Sequence, residues 1–148
     1  MNYSQGNLAE KLEIENWKFF SMYLFINTAS AEEIILALVD GKGQILVKKN
    51  IKAKYKQSEK LLLNIDKILK DIKDIKSVIV VKGPGSFTAL RIGVVTANTL
   101  AWALRIPIIG VKLEEKTKIE AAIEKSLKKI IKFKQVMPEY GMEPNISE

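Results

Sequence analysis

The sequence contains no cysteine and no histidine. Without cysteine the chain forms no disulfide and has no thiolate to act as a nucleophile or a metal ligand. Without histidine it lacks the most frequent metal ligand and the most frequent general base. These absences exclude Ser-His-Asp and Cys-His hydrolases and zinc sites of the H-E-x-x-H kind. Any chemistry must come from carboxylates, hydroxyls, lysines or backbone amides.

Arginine is scarce as well, since Arg91 and Arg105 stand against 22 lysines in a chain of net charge +7. Lysine is a point charge without the planar fork with which arginine binds phosphates and bases. The positive balance indicates an acidic partner or nucleic acid, although a solvated surface produces the same composition. The candidate contacts with RNA or an acidic partner are Lys52, Lys54, Lys56, Lys125, Lys128 and Lys129.

Long apolar runs are missing, and no stretch approaches the length of a membrane-spanning helix. The first twenty residues have neither the basic start nor the apolar centre of a secretory signal. We therefore expect a cytoplasmic protein without a membrane partner. With 148 residues, 47% of them hydrophobic, the chain can form one main domain with appendages.

The first predicted unit is a three-stranded antiparallel meander. Residues 22–28, 33–40 and 44–51 are apolar or alternate in polarity, as strands do. Asp40-Gly41 is the strongest hairpin signal in the chain.

A β-α-β-α-β unit is predicted to follow. Residues 57–72 have apolar positions at helical spacing. Residues 77–81 predict a buried strand, because four consecutive apolar residues follow Ser77. A long helical pattern then reaches Leu104 and precedes an apolar strand at 106–111. The order predicts an α/β fold in which helices cover parallel strands.

The predicted lobe thus covers residues 22–112, with an N-terminal extension at 1–21 of unsettled structure. Residues 113–134 have an apolar stripe opposite a row of lysines and predict a basic amphipathic helix. Such a helix can lie on a membrane or an acidic partner, or pack its stripe on its own domain. Residues 135–148 contain two prolines and a glycine and predict an extended tail.

The stretch "VKGPGSFTALRIG" at 81–93 has three possible interpretations: a phosphate loop, a nucleophile elbow or a turn. A Walker-type phosphate loop would require a lysine after Gly85, where Ser86 stands, so only a weak anion site at the helix start remains. A nucleophile elbow would require glycine at Pro84 and a base for Ser86, and the chain has neither. As a turn, Gly83 and Gly85 provide backbone freedom and Pro84 stiffens the loop. Ser86 is a suitable N-cap, whose hydroxyl is expected to accept an amide proton from the first helical turn.

The helix after this loop has small residues at every fourth position: Ala89, Gly93, Ala97 and Ala101. Such a row lets another element approach closely, and a glycine within a helix costs roughly 1 kcal/mol relative to alanine. Leu90 and Val94 lie beside the row. The spacing alone leaves open whether this face packs on the domain's own elements or meets a partner helix.

"GPGSFTALRIGVVTANTLAWALRIPIIGV" resembles the signature of the TsaB (YeaZ) family of tRNA threonylcarbamoyladenosine biosynthesis proteins. "MYLFINTAS" resembles the family's first strand, "YKQSEKLLLNIDKIL" resembles its H-S-[EQ]-x-L-L-P-x-I segment, and "MPEYGMEPNI" resembles the tail of some members. The resemblance covers roughly residues 22–112 and the tail. It implies half of an RNase H-like, actin-like ATPase fold.

The resemblance further implies a non-catalytic subunit without a cofactor or metal of its own, which binds the related subunit TsaD in the machinery that modifies tRNA. A TsaE-like ATPase would join the assembly, the contact with tRNA would be indirect, and the chain alone would form a homodimer. The helix that starts at Gln57 would join the small-residue helix in the interface. That interface would comprise Leu61, Ile65, Ala89, Leu90, Gly93, Val94, Ala97 and Ala101. The alternative is a stand-alone, lysine-rich RNA-binding module of the same fold.

The chain departs from the family pattern at three positions. Asn27 replaces a usual aspartate, Gln57 a common histidine and Ala89 a usual glycine. An amide at Asn27 argues against an active ATPase or nuclease, because these fold relatives have a metal-binding acid on the first strand. The part after residue 112 is expected to be a shortened second lobe. A chain of this kind would bind TsaD in a different mode or depend on its own dimerisation.

Overall fold

The computed structural model describes residues 21–70, 74–112, 121 and 136–138. Within these residues the predicted order of three strands, a helix, a strand, a helix and a strand is confirmed. The elements are β1 (Met22–Asn27), β2 (Glu33–Asp40), β3 (Ile45–Lys52), α1 (Gln57–Leu69), β4 (Ser77–Gly83), α2 (Phe87–Leu104) and β5 (Ile108–Lys112).

The five strands form one mixed sheet in the order β3-β2-β1-β4-β5. The meander β1-β2-β3 is antiparallel, whereas β4 pairs in parallel with both β1 and β5. The central strand β1 therefore pairs Phe25 with Ala37 on one side and with Ile79 on the other. Because β1 and β4 are covered on both faces, they are apolar along most of their length rather than alternating.

Both helices pack on the same face of the sheet. Leu61 and Ile65 of α1 and Val94 and Ala97 of α2 share one core cluster with inward side chains of the strands, such as Leu24. The opposite face of the sheet has a second buried cluster. Its buried members are Phe25, Ala37, Val39, Ile79 and Val81.

The hairpin between β2 and β3 forms where Asp40-Gly41 predicted it. One carboxylate oxygen of Asp40 accepts hydrogen bonds from the amides of Lys42 and Gln44, each at 2.9 Å. The Gly43 amide donates to the Asp40 carbonyl at 3.1 Å, and Gly43 adopts a positive φ of 87°. The aspartate therefore fixes the turn, and the glycine that has to leave the usual backbone region is Gly43.

Helix α2 corrects one expectation. By length and composition its 18 residues could cross a membrane, so the statement that no stretch approaches this length is wrong. Such a helix is also what the core of a folded domain requires. Here one side of α2 is buried against the sheet and α1, which gives its apolar composition a packing role.

Most of the predicted extension, basic helix and tail lies outside the described residues. Of the basic helix only Ala121 is described, and it is helical. The candidate contacts Lys125, Lys128 and Lys129 are likewise outside the described residues. The predicted domain boundaries stay predictions.

Candidate protein-binding face on the two helices

The loop between β4 and α2 is fixed against the end of β1. Gly83 has a φ of 140°, and the Gly83-Pro84 peptide bond is cis. The Ser86 amide donates to the Ala29 carbonyl at 2.8 Å, and a Cβ on Gly85 would lie 2.6 Å from that same oxygen. Gly85 thus permits a close contact between two backbones, and the loop serves as a turn that attaches the start of α2 to β1.

Ser86 occupies the N-cap position of α2, as predicted, but its side chain makes no capping hydrogen bond. The prediction that its hydroxyl accepts an amide proton is therefore wrong. The backbone of Ser86 fixes its position instead. Its amide donates a hydrogen bond to the Ala29 carbonyl, and its carbonyl accepts one from the Leu90 amide at 2.8 Å.

The close approach expected at Gly93 is present, but the neighbour is Thr28 and not a second helix. A Cβ on Gly93 would lie 2.0 Å from the Thr28 hydroxyl oxygen and 2.9 Å from its methyl carbon. Thr28 is fully buried, and its hydroxyl has no hydrogen-bond partner among the described residues. The glycine therefore makes room for a side chain at the end of β1.

The predicted interface residues do not lie at the surface. All eight are buried within the chain: Leu61, Ile65, Ala89, Leu90, Gly93, Val94, Ala97 and Ala101. The row of small residues lets α2 approach the sheet closely. That these eight residues contact a partner stays a prediction, and their burial leaves the exposed residues of the same helices as the side chains available to an interface.

The exposed sides of the two helices have large apolar residues. Leu62 and Leu63 of α1 and Val95 and Trp102 of α2 are each more than half exposed, and Trp102 reaches 72%. We call these four residues the outer helix face. Val95 and Trp102 are seven positions apart, which is two helical turns, so they share one side of α2. In the sequence, this i, i+7 pair was the pattern that could have predicted the exposed apolar face. The more regular row of small residues on the same helix was interpreted instead.

Asn27 closes the end of β1. Its side-chain oxygen accepts a hydrogen bond from the Ala29 amide at 2.9 Å, and the residue is buried. The amide group thus shapes the turn that brings Thr28 and Ala29 to the α2 loop. Among the described residues, no group of three or more Asp, Glu, His or Cys side chains could hold a metal ion.

Lys52, Lys54 and Lys56 are exposed around the turn between β3 and α1. The ammonium group of Lys54 lies 3.9 Å from a carboxylate oxygen of Glu32, and both side chains are largely in solvent. Water and salt screen a pair of this kind, so it contributes little to stability.

A short C-terminal segment returns to α2 through Asn98. The Asn98 side chain donates to the Val136 carbonyl at 2.7 Å and accepts from the Val136 amide at 2.9 Å. Val136 is buried in the helix-side core, and a Cβ on Gly110 of β5 would lie 2.7 Å from it. One side chain therefore satisfies both backbone groups of Val136.

Asn98→Ala is expected to destabilise the chain by about 1–3 kcal/mol, since it leaves the Val136 amide and carbonyl without these partners in a partly buried place. Urea denaturation measures the loss. Asn64→Ala is the matched control, because the Asn64 side chain donates to the Lys60 carbonyl of its own helix. Equal costs for the two variants would show that the contact with Val136 contributes nothing.

Comparisons with known proteins agree with this fold. A family model described as "TsaD: tRNA N6-adenosine threonylcarbamoyltransferase" matches residues 24–130. The chain is 56% identical over 39 residues to the tRNA threonylcarbamoyladenosine biosynthesis protein TsaB of Bacillus subtilis, which covers 26% of this chain and 17% of that protein. It is 34% identical over 74 residues to the TsaB of Buchnera aphidicola, which covers 47% of this chain and 35% of that protein.

A solved structure of YeaZ from Pseudomonas aeruginosa superposes with a TM-score of 0.54 and 24% identity, covering 62% of this chain and 45% of that one. This likeness shows the fold and confirms the expected α/β architecture. The chain spans about a third or less of the two TsaB relatives and less than half of this structural neighbour.

Proposed function

The chain belongs to the family of the TsaD model, within its TsaB (YeaZ) group, and from this premise we propose that it is a non-catalytic partner subunit in threonylcarbamoyladenosine synthesis on tRNA. It binds a TsaD-type subunit through α1 and α2 in the cytoplasm. A TsaE-like ATPase joins the assembly, and the tRNA is contacted through the other subunits.

The observation that carries this proposal is the outer helix face. Four large apolar side chains, Leu62, Leu63, Val95 and Trp102, are exposed on two neighbouring helices. Single exposed apolar residues are ordinary, but a tryptophan that is 72% exposed is a frequent energetic centre of protein interfaces. A partner that covers these side chains removes them from water, and a second copy of the chain would do the same when no partner is present.

The non-catalytic role has its support in the composition and in Asn27. Histidine and cysteine are absent from the chain, and the side chain at the end of β1 is an amide already bound to the Ala29 backbone. An amide in that hydrogen bond cannot supply the negative charge with which a carboxylate binds a metal ion there.

Co-purification with the TsaD protein of the same genome tests the proposal. We expect a stable complex at micromolar concentration by size-exclusion chromatography with light scattering. We also expect that modification of tRNA by TsaD and its accessory subunits increases when this chain is added, while the chain alone neither modifies tRNA nor hydrolyses ATP. Failure to form the complex would contradict the partner role, and ATP turnover by the isolated chain would contradict the non-catalytic one.

A further inference from the structure

The turn between β3 and α1 presents an aromatic ring to solvent. Tyr55 is 88% exposed, more than any other large apolar or aromatic residue of the described chain. It occupies the third position of a four-residue turn that is closed by a hydrogen bond of 2.8 Å from the Lys56 amide to the Ala53 carbonyl. The turn therefore directs the ring away from the core.

The backbone at Tyr55 is in an unfavourable region. Its φ is 64°, which turns of this kind normally assign to glycine or asparagine at the third position. For a bulky residue with a Cβ this conformation is strained. Backbone strain of this sort is frequent at functional sites, where it is retained because the side chain has a role in binding or catalysis.

The turn is held firmly on both sides. The amide of Ala53, which is buried, donates to the Glu32 carbonyl at 2.9 Å. On the other side, the Lys60 ammonium group donates to the Lys52 carbonyl at 2.8 Å and ties α1 to the end of β3. The ring is thus presented on a fixed support, so binding requires little ordering of the backbone.

Positive charge surrounds the ring. Lys52, Lys54 and Lys56 are exposed, and the Lys54 ammonium group lies 5.4 Å from the centre of the Tyr55 ring. The nearby carboxylates are Glu32, Glu33 and Glu59, and Glu32 is within 3.9 Å of Lys54 in solvent. Lys48 and Lys52 share one side of β3, which extends the basic surface along the edge of the sheet.

We propose that Tyr55 and the lysines beside it bind single-stranded nucleic acid, with a base stacked on the ring and the adjoining phosphates near the lysines. An exposed aromatic ring among basic residues is how single strands are bound without base-specific contacts. A duplex does not offer a free base face to such a ring. A membrane surface is disfavoured because insertion needs a larger apolar face than one tyrosine provides.

This site is independent of the proposed binding to TsaD, because Tyr55 does not belong to the outer helix face. It adds a direct contact with nucleic acid to the contact with tRNA that the other subunits provide. The test is fluorescence anisotropy of the full chain with a labelled oligouridylate of about twelve nucleotides, a length within the usual range for such sites. Tyr55→Ala is expected to weaken binding about tenfold, the loss of one stacked base, whereas Tyr55→Trp keeps it. Lys54→Ala should lower the slope of log affinity against log salt by about one unit.

Tyr55→Gly separates binding from folding. Glycine adopts a φ of 64° without strain, so the melting temperature should stay the same or rise while binding falls as in Tyr55→Ala. Lys42→Ala in the β2–β3 hairpin is the control for charge, because it lies at the opposite end of β3, roughly 20 Å away by strand length. It should leave affinity nearly unchanged.

Three results would overturn the site. Tyr55→Gly could bind as tightly as the natural chain, or a duplex of the same length could bind equally well. The chain could also bind anionic phosphatidylserine vesicles through Tyr55 but not the oligonucleotide, which would assign the turn to a membrane surface.

Discussion

Gly93→Ala is expected to destabilise the folded chain by about 2 kcal/mol. The new methyl group would lie 2.0 Å from the Thr28 hydroxyl oxygen and 3.0 Å from the Thr28 Cβ, which is closer than packed atoms approach. Extra atoms in a filled core typically cost about 1–3 kcal/mol, and an approach of 2.0 Å to a short, buried side chain belongs at the upper end of this range. Alanine gains about 1 kcal/mol over glycine in a helix, but this gain does not offset the displacement of α2 from β1. Urea denaturation gives the difference in the free energy of unfolding.

Two further variants assign this cost to the contact itself. Thr28→Ala removes the hydroxyl and the methyl group that a residue at position 93 would meet, so the double variant should recover about 1–2 kcal/mol relative to Gly93→Ala. Gly41→Ala is the control, because the nearest atom to its added Cβ is 3.8 Å away. If the two glycine variants unfold at the same urea concentration, the contact with Thr28 is not what requires Gly93.

Trp102→Ala is expected to weaken binding of a TsaD-type partner by roughly thirtyfold or more, the loss typical of a central tryptophan in an interface. The side chain is 72% exposed, so its removal should leave the fold nearly as stable as before. Isothermal titration calorimetry measures the affinity, and urea denaturation verifies the fold. This prediction depends on the proposed function.

Tyr55→Ala is the matched control for this experiment. It also removes a highly exposed aromatic ring, but one that lies outside the outer helix face. It should bind the TsaD-type partner as the natural chain does. If both variants bind equally well, α2 does not form the interface near its C-terminal end, and the partner must use another surface.

The order of elements could be predicted from the sequence because each has a clear apolar pattern. The observed bounds of β2 are those of the predicted run, and α2 ends at Leu104 as predicted. Helix α1 begins at Gln57, and its assigned part ends at Leu69, before the predicted limit of 72. Apolar periodicity along the chain is sufficient to predict such elements, because it depends only on residues that are close in sequence.

The orientation of α2 could not be predicted in the same way. This helix is apolar on several sides, so a row of small residues from Ala89 to Ala101 can face inward or outward with equal regularity. The row faces inward because the side chain of Thr28, which is distant in the sequence, occupies the space at Gly93. The contact between Asn98 and Val136 is similarly distant, and no pattern within either segment announces it.

The positive φ of Tyr55 was also beyond prediction. A turn with glycine or asparagine at its third position has a recognisable signal, and "AKYK" at 53–56 does not contain it. The sequence identified the lysines around Tyr55 as candidate contacts. It did not identify the Tyr55 ring, which adds a stacking surface to their charge.

The contact between Gly93 and Thr28 also bears on how the sheet finds its register. The two residues are about 65 positions apart, so their contact closes a long loop that contains α1 and β4. If β1 were paired one residue out of step, its side chains would exchange faces and Thr28 would turn away from the helix. Because the space at Gly93 accommodates one side chain in one position, this glycine discriminates between the correct strand pairing and its nearest alternatives.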